Sequence, residues 1–199
     1  MSAPQLLLAS QSPRRAELLR QLGLRIVVAP ADVAEGAQAG ETAAQYARRI
    51  ALAKARAGLA ASDGTLPVLG ADTDVVLDGR ILGKPRDGDD ARAMLAALSD
   101  REHEVYSAVA VVRGEQEGLA LSVTRVVFGT ITPAQANAYW ASGEPADKAG
   151  AYGIQGLGAQ FVREIHGSYS GVVGLPLYET AALLKQFGIP TLPLPAHTP

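Results

Sequence analysis

The chain contains no cysteine, which excludes disulfides, thiolate metal sites, iron–sulfur clusters and cysteine nucleophiles. It also has no excess of basic charge. Eighteen Lys and Arg stand against 20 Asp and Glu in 199 residues, for a formal charge of -2 and a pI near 5.9. A generic polyanion binder is thereby excluded, because nothing in that balance neutralises a run of phosphates. A small phosphorylated ligand is not, since a few placed cations suffice. No apolar run approaches the ~20 residues needed to cross a bilayer. The first one, Leu6 to Ala9, is followed by Arg14 and Arg15, whereas a signal peptide puts its basic residues first. Walker A, G-x-S-x-G and H-E-x-x-H sequences are all missing. His103, His166 and His197 lie too far apart for a local metal motif and read as ordinary polar residues. A soluble, cytoplasmic protein with no membrane or nucleic-acid partner is the expectation.

What is present suits one substantial core: 48% of residues are hydrophobic and 19% charged. Gln5 to Ala9 reads as a buried strand. Ser12 caps a helix with Pro13 in its first position, and Gly23 stops it. Arg25 to Val28 is a second strand. Thr42 and Gln45 form a capping box for a long Ala-rich helix to about Leu59. Leu66 to Ala71 reads as a core strand ending at Asp72, and Asp78-Gly79 as a hairpin turn. A helix from Asp89 to Leu98, β segments His103–Val112 and Leu119–Gly129, and a helix opened by Thr132-Pro133 follow. A strand near Gln160–Ile165 and a helix over Tyr178–Phe187 complete the pattern. With no repeat and no linker, residues 1–189 form a single α/β domain and 190–199 a Pro-rich tail.

Three places carry chemistry. Ser10, Ser12, Arg14 and Arg15 surround a helix N-terminus, whose free N–H groups and partial positive charge suit a phosphate. The alternative is a plain cap with the arginines solvated or paired to Glu17. Asp72 and Asp74 share a face if their strand continues, and could hold Mg²⁺ or supply a base. The alternative is a turn, or pairing with nearby arginines. The Gly-rich block from Asp147 to Gly156 permits close backbone approach, with Lys148, Tyr152 and Gln155 in reach of a ligand, or else is an ordinary loop. Lys54 and Lys84 alone are weak signals.

Taken together, these segments resemble the Maf family of nucleotide pyrophosphatases. The matching stretches are Leu8 to Leu19, Lys54-Ala55, Gly70-Ala71-Asp72-Thr73, Gly83-Lys84-Pro85, Asp147 to Gly156, and Val173-Gly174-Leu175-Pro176. They run in family order over nearly the whole chain. The resemblance implies a twisted mixed sheet with flanking helices and a cleft between two lobes, like that of the inosine triphosphatases. It implies a Mg²⁺- or Mn²⁺-dependent hydrolase that cuts nucleoside triphosphates between the α- and β-phosphates, and a protein that pairs as a homodimer. Asp72 becomes the proton acceptor. Ser10, Arg14, Arg15, Glu35, Lys54 and Lys84 become phosphate and metal contacts, with Glu35 and Asp72 on the metal. Whether Asp72 serves mainly as base or as metal ligand stays open, because an unperturbed Asp is a poor base.

Substrate choice follows by the same resemblance. The subgroup acting on dTTP and UTP carries Arg at the position of Arg14, Thr after the catalytic Asp, and Gln in G-I-Q-G. This chain has Arg14, Thr73 and Gln155. The subgroup acting on 7-methyl-GTP has Trp at the first position and G-S-D-Q at the second. CTP and modified pyrimidine nucleotides join the expected substrates. A nucleotide-binding regulator of cell division and septum formation, with hydrolysis secondary, is the other role associated with the family. Asp74 departs from the family pattern, which has an apolar residue there. It either adds a metal ligand or faces solvent.

Overall fold

The computed structural model describes residues 3–192; the part of the expected tail at 193–199 lies outside the described residues. A seven-stranded mixed sheet organises the chain. Its strands are β1 (Leu6–Leu8), β2 (Ile26–Val28), β3 (Val68–Leu77), β4 (Arg80–Leu82), β5 (Glu102–Arg113), β6 (Gln116–Phe128) and β7 (Val162–His166). The order is β2-β1-β3-β5-β6-β7, with β4 folding back on β3. Only the β1 pairings with β2 and β3 are parallel; all others are antiparallel. Helices α1 (Pro13–Gln21), α2 (Ala43–Ala60), α3 (Gly88–Leu98), α4 (Pro133–Ala141), α5 (Tyr169–Val173) and α6 (Leu177–Gln186) flank it. Among the described residues no helix is long and apolar enough to cross a membrane.

Each face of the sheet carries its own core. Leu6, Leu8, Leu69, Val109, Val111 and Phe128 pack with Leu19, Leu95, Leu98 and Leu184 of the helices on one side. Leu7, Val68, Ala108, Ala110 and Val112 pack on the other against Ala47, Ala51 and Ala55 of α2. β1 is thus buried on both faces, which is why it reads as an unbroken apolar run. The Ala-rich face of α2 lets backbone meet backbone. A Cβ at Gly70 would stand 2.3 Å from the Ala51 carbonyl oxygen and 2.5 Å from the Ala55 nitrogen.

The expected helix caps form. The Ser12 hydroxyl accepts from the Arg15 N–H, and Thr42–Gln45 and Thr132–Gln135 close as capping boxes. One boundary differs. The strand expected to end before Asp72 instead runs unbroken to Leu77, because β5 pairs with β3 from Val68 to Val76 and carries the polar stretch through. Asp72 therefore lies in mid-strand, and Asp74 faces the same side. The short helix α5, capped by Ser168 and stopped at Gly174, is not evident from sequence periodicity.

His103 is a core residue. It is 2% exposed, with Nε2 2.9 Å from the Tyr152 hydroxyl and its ring edge-on to Phe128. Burial pushes its pKa from the ordinary 6.5 down to about 4. Between those values the unfolded chain binds the extra proton and the folded chain does not, so stability falls as pH falls. About 2 kcal/mol should be lost between roughly pH 7 and pH 5 through this one group. Denaturant titrations at both values should show that portion missing in His103→Gln; an unchanged pH dependence would contradict it.

Candidate active site

The site forms where the edge of the sheet opens. β1 pairs with β3 only at Val68 and Leu69, and β4 only from Val75 onward. On that edge Gly70 to Asp74 have no strand beside them among the described residues, and β5 holds them from the other side. A cleft of about 1130 Å³ occupies the gap. Its walls include Ser10, Arg14, Arg15, Glu35, Lys54, Asp72, Thr73, Lys84 and Gln155, so every residue singled out from the sequence reaches one space.

Asp72 and Lys54 form its floor. The close seating of α2 on Gly70 brings Lys54, beside Ala55, over Asp72, two residues further along the strand. Lys54 Nζ donates to Asp72 Oδ1 at 2.8 Å and lies 2.7 Å from Glu35 Oε1. The Lys54 and Asp72 side chains are only 12% and 11% exposed. Glu35 sits on a segment with little motif of its own, but α2 pins that segment. Tyr46 donates from its hydroxyl to the Glu35 carbonyl at 2.8 Å, and Arg49 reaches the Gly36 carbonyl at 3.0 Å. Although burial opposes it, the hydrogen bond and charge of Lys54, with Lys84 and Arg15 behind, hold the Glu35 carboxyl below its usual range. Burial, with Asp74, Asp72 and Glu35 nearby, pushes the Tyr46 phenol up to about 12.

The two arginines at the α1 N-terminus do different things. Arg14 lies 3.5 Å from Asp147 at the cleft rim. Arg15 is fixed: Nε donates to the Gly174 carbonyl at 2.9 Å, and its other nitrogens donate to the Ser10 and Thr73 hydroxyls, each at 3.2 Å. Neither pairs with Glu17. Burial lowers the Arg15 pKa, against the raising effect of Asp72. Thr73 in turn bonds the Gly174 carbonyl at 3.2 Å, and Ser107 fastens α5 by donating to the Gly171 carbonyl at 2.6 Å. Arg15 and Thr73 thus join the α1 N-terminus, the strand and the Gly174 turn into one wall.

The opposite wall depends on a residue that sequence reasoning passed over. The Glu144 carboxylate accepts from the Tyr139 hydroxyl at 2.7 Å and from the Leu157 and Gly158 N–H groups at 2.8 and 3.1 Å. It anchors the turn that presents Gln155, and a Cβ at Gly156 would stand 2.2 Å from it. The signal was the glycine spacing: Gly156 has no side chain because Glu144 occupies that space. Gln155 itself is exposed at the cleft. Lys84 enters from the turn after β4, where Gly83 accepts from the Gly150 N–H at 3.0 Å.

Among the described residues no three His, Asp or Glu side chains stand together as a ready cation cage. The donor chemistry still fits a hard divalent cation, which takes carboxylate oxygens. Asp72 and Asp74 share a face, Glu35 approaches the same ammonium, and Asp74 Oδ2 is buried without a hydrogen-bond partner. Burial and the adjacent Asp72 push Asp74 up to about 8.

A helix N-terminus, five cations and a carboxylate floor meet in one sheet-edge cleft, an arrangement whose chemistry suits a small polyanion. Over residues 5–187 the sequence matches the family described as Maf-like protein, and the chain belongs to that family. It is 56% identical to a dTTP/UTP pyrophosphatase of Saccharophagus degradans, over 93% of this chain and 90% of that one. It is 53% identical to a protein of the same name from Methylococcus capsulatus, over 94% and 92%. With the one from Vibrio vulnificus it shares 52% identity over 92% and 98%. Among solved structures, a nucleoside-triphosphatase / dITP/XTP pyrophosphatase of Mycobacterium abscessus is similar at a TM-score of 0.46 and 20% identity, over 92% and 94% of the two chains.

Proposed function

We propose that this chain hydrolyses dTTP and UTP, with CTP and modified pyrimidine nucleotides as further candidates, to the monophosphate and pyrophosphate. The observation that carries the reading is Asp72, ion-paired to Lys54 in the open stretch of β3 and facing a cleft with cations on its other walls. The name shared by relatives at 52–56% identity over nearly the full length supports it.

Breaking a phosphoanhydride requires neutralising the departing pyrophosphate and placing a water in line. In this reading the α1 N-terminus with Ser10, Arg14 and Lys84 takes the phosphate chain, and Arg15 adds charge from its fixed place in the wall. Asp72, oriented by Lys54, accepts the proton of the attacking water. Asp72 and Glu35 are the residues that would hold Mg²⁺ or Mn²⁺. The cation's contribution when bound is charge neutralisation and a lowered pKa for water. Gln155 offers both a donor and an acceptor to a uracil or thymine edge, and Thr73 supports the facing wall through Arg15 and Gly174. A cytoplasmic setting and a homodimer belong to the same reading.

Initial rates on dTTP, UTP, CTP, GTP and 7-methyl-GTP with Mg²⁺ test the base preference. The reading expects dTTP and UTP to lead; preference for a purine nucleotide would overturn it. Gln155→Ala should reduce discrimination between dTTP and GTP by about tenfold or more, while dTTP turnover at saturation falls far less. An equal loss on every nucleotide would remove Gln155 from base recognition.

A further inference from the structure

Asp74 poses a problem that the residues around it leave unsolved. It is 8% exposed, it follows Asp72 on the same face of β3, and its Oδ2 is buried with no hydrogen-bond partner. The nearby donors are engaged elsewhere. Lys54 bridges Asp72 and Glu35, Tyr46 spends its hydroxyl on the Glu35 carbonyl, and Arg15 is held by Ser10, Thr73 and Gly174. A buried carboxyl oxygen with no hydrogen-bond partner is unfavourable unless something electropositive meets it. Asp74 lines the same cleft as Asp72 and Glu35. It does not face solvent, which removes one of the two roles open to it from the sequence.

We infer that Asp74 is a carboxylate ligand of the divalent cation that Asp72 holds, giving this chain one more oxygen donor than the family pattern supplies. The inference rests on the metal-dependent reading above and adds a residue to it. A third carboxylate raises the charge complementarity of the site and so its affinity for a hard cation. In the metal-free protein it leaves an unmet oxygen, and removing that oxygen should stabilise the fold. A purely structural Asp74 would behave in the opposite way on both counts.

The test is Mn²⁺ affinity, read from the free-ion paramagnetic resonance signal, for the protein saturated with α,β-methylene dTTP. Wild type, Asp74→Asn and Asp74→Val are compared, with metal-free thermal unfolding measured in parallel. Both variants should bind Mn²⁺ at least about tenfold more weakly, since losing even an outer partner of a metal site has an effect of that size. Asp74→Val should melt no lower than wild type. Wild-type affinity in the variants would overturn the inference and leave the metal-dependent reading intact. Collapse of the fold in both variants would mean a structural role and would also overturn it. No Mn²⁺ binding by the wild type would overturn the metal-dependent reading and the inference with it.

Discussion

Asp72→Asn is expected to lower dTTP turnover by about a thousandfold while the protein stays folded, because general acid–base groups contribute about 10² to 10⁴. Asn preserves the shape of the side chain and still offers an oxygen to Lys54, but it cannot take a proton from water. The usual penalty for breaking a buried ion pair is avoided here. Lys54 keeps the Glu35 carboxylate 2.7 Å away as its counter-ion, so the ammonium is not left alone. Turnover and thermal unfolding should be measured on the same preparation. A wild-type unfolding midpoint with activity nearly gone is the expected result. Residual turnover above about one-tenth of wild type would contradict the role given to Asp72.

Gly70→Ala should show how much the site depends on the seating of α2. The added methyl would stand 2.3 Å from the Ala51 carbonyl oxygen and 2.5 Å from the Ala55 nitrogen. Both are backbone atoms, so no rotamer change relieves the clash and the helix must lift. Overpacking of this kind costs about 3 kcal/mol, or roughly 6–12 °C in Tm for a chain of this size. Activity should fall as well, because lifting α2 draws Lys54 away from Asp72. A variant within about two degrees of wild type would mean that α2 and β3 are not held in such close contact.

Much of this was legible in the sequence for local reasons. Ser12, Thr42 and Thr132 cap helices through their own side chains, and Asp78-Gly79 turns a hairpin whatever surrounds it. β1 declared itself by being apolar on both faces. The site residues came from a family resemblance whose motifs are dispersed from Ser10 to Gln155, and the fold draws them into one cleft. Illegible were the features set by partners distant in sequence. Asp72-Thr73-Asp74 looked like a strand end, because the pairing that carries it comes from β5, more than thirty residues later. Glu144 belongs to no motif singled out in the sequence, and its role follows from the Leu157 and Gly158 N–H groups that its carboxylate meets. The resemblance makes Arg15 a phosphate contact, but nothing in the sequence shows that its guanidinium is also tied to Thr73 and Gly174. Residues 193–199 lie outside the described part of the expected tail.

The most direct test of the account is the identity of the products formed from dTTP and Mg²⁺, resolved by anion-exchange chromatography with Asp72→Asn as the control. Thymidine monophosphate and pyrophosphate in equal amounts, and neither with the variant, is the predicted result. Thymidine diphosphate and inorganic phosphate would place the cleavage at the β–γ bond and contradict the account.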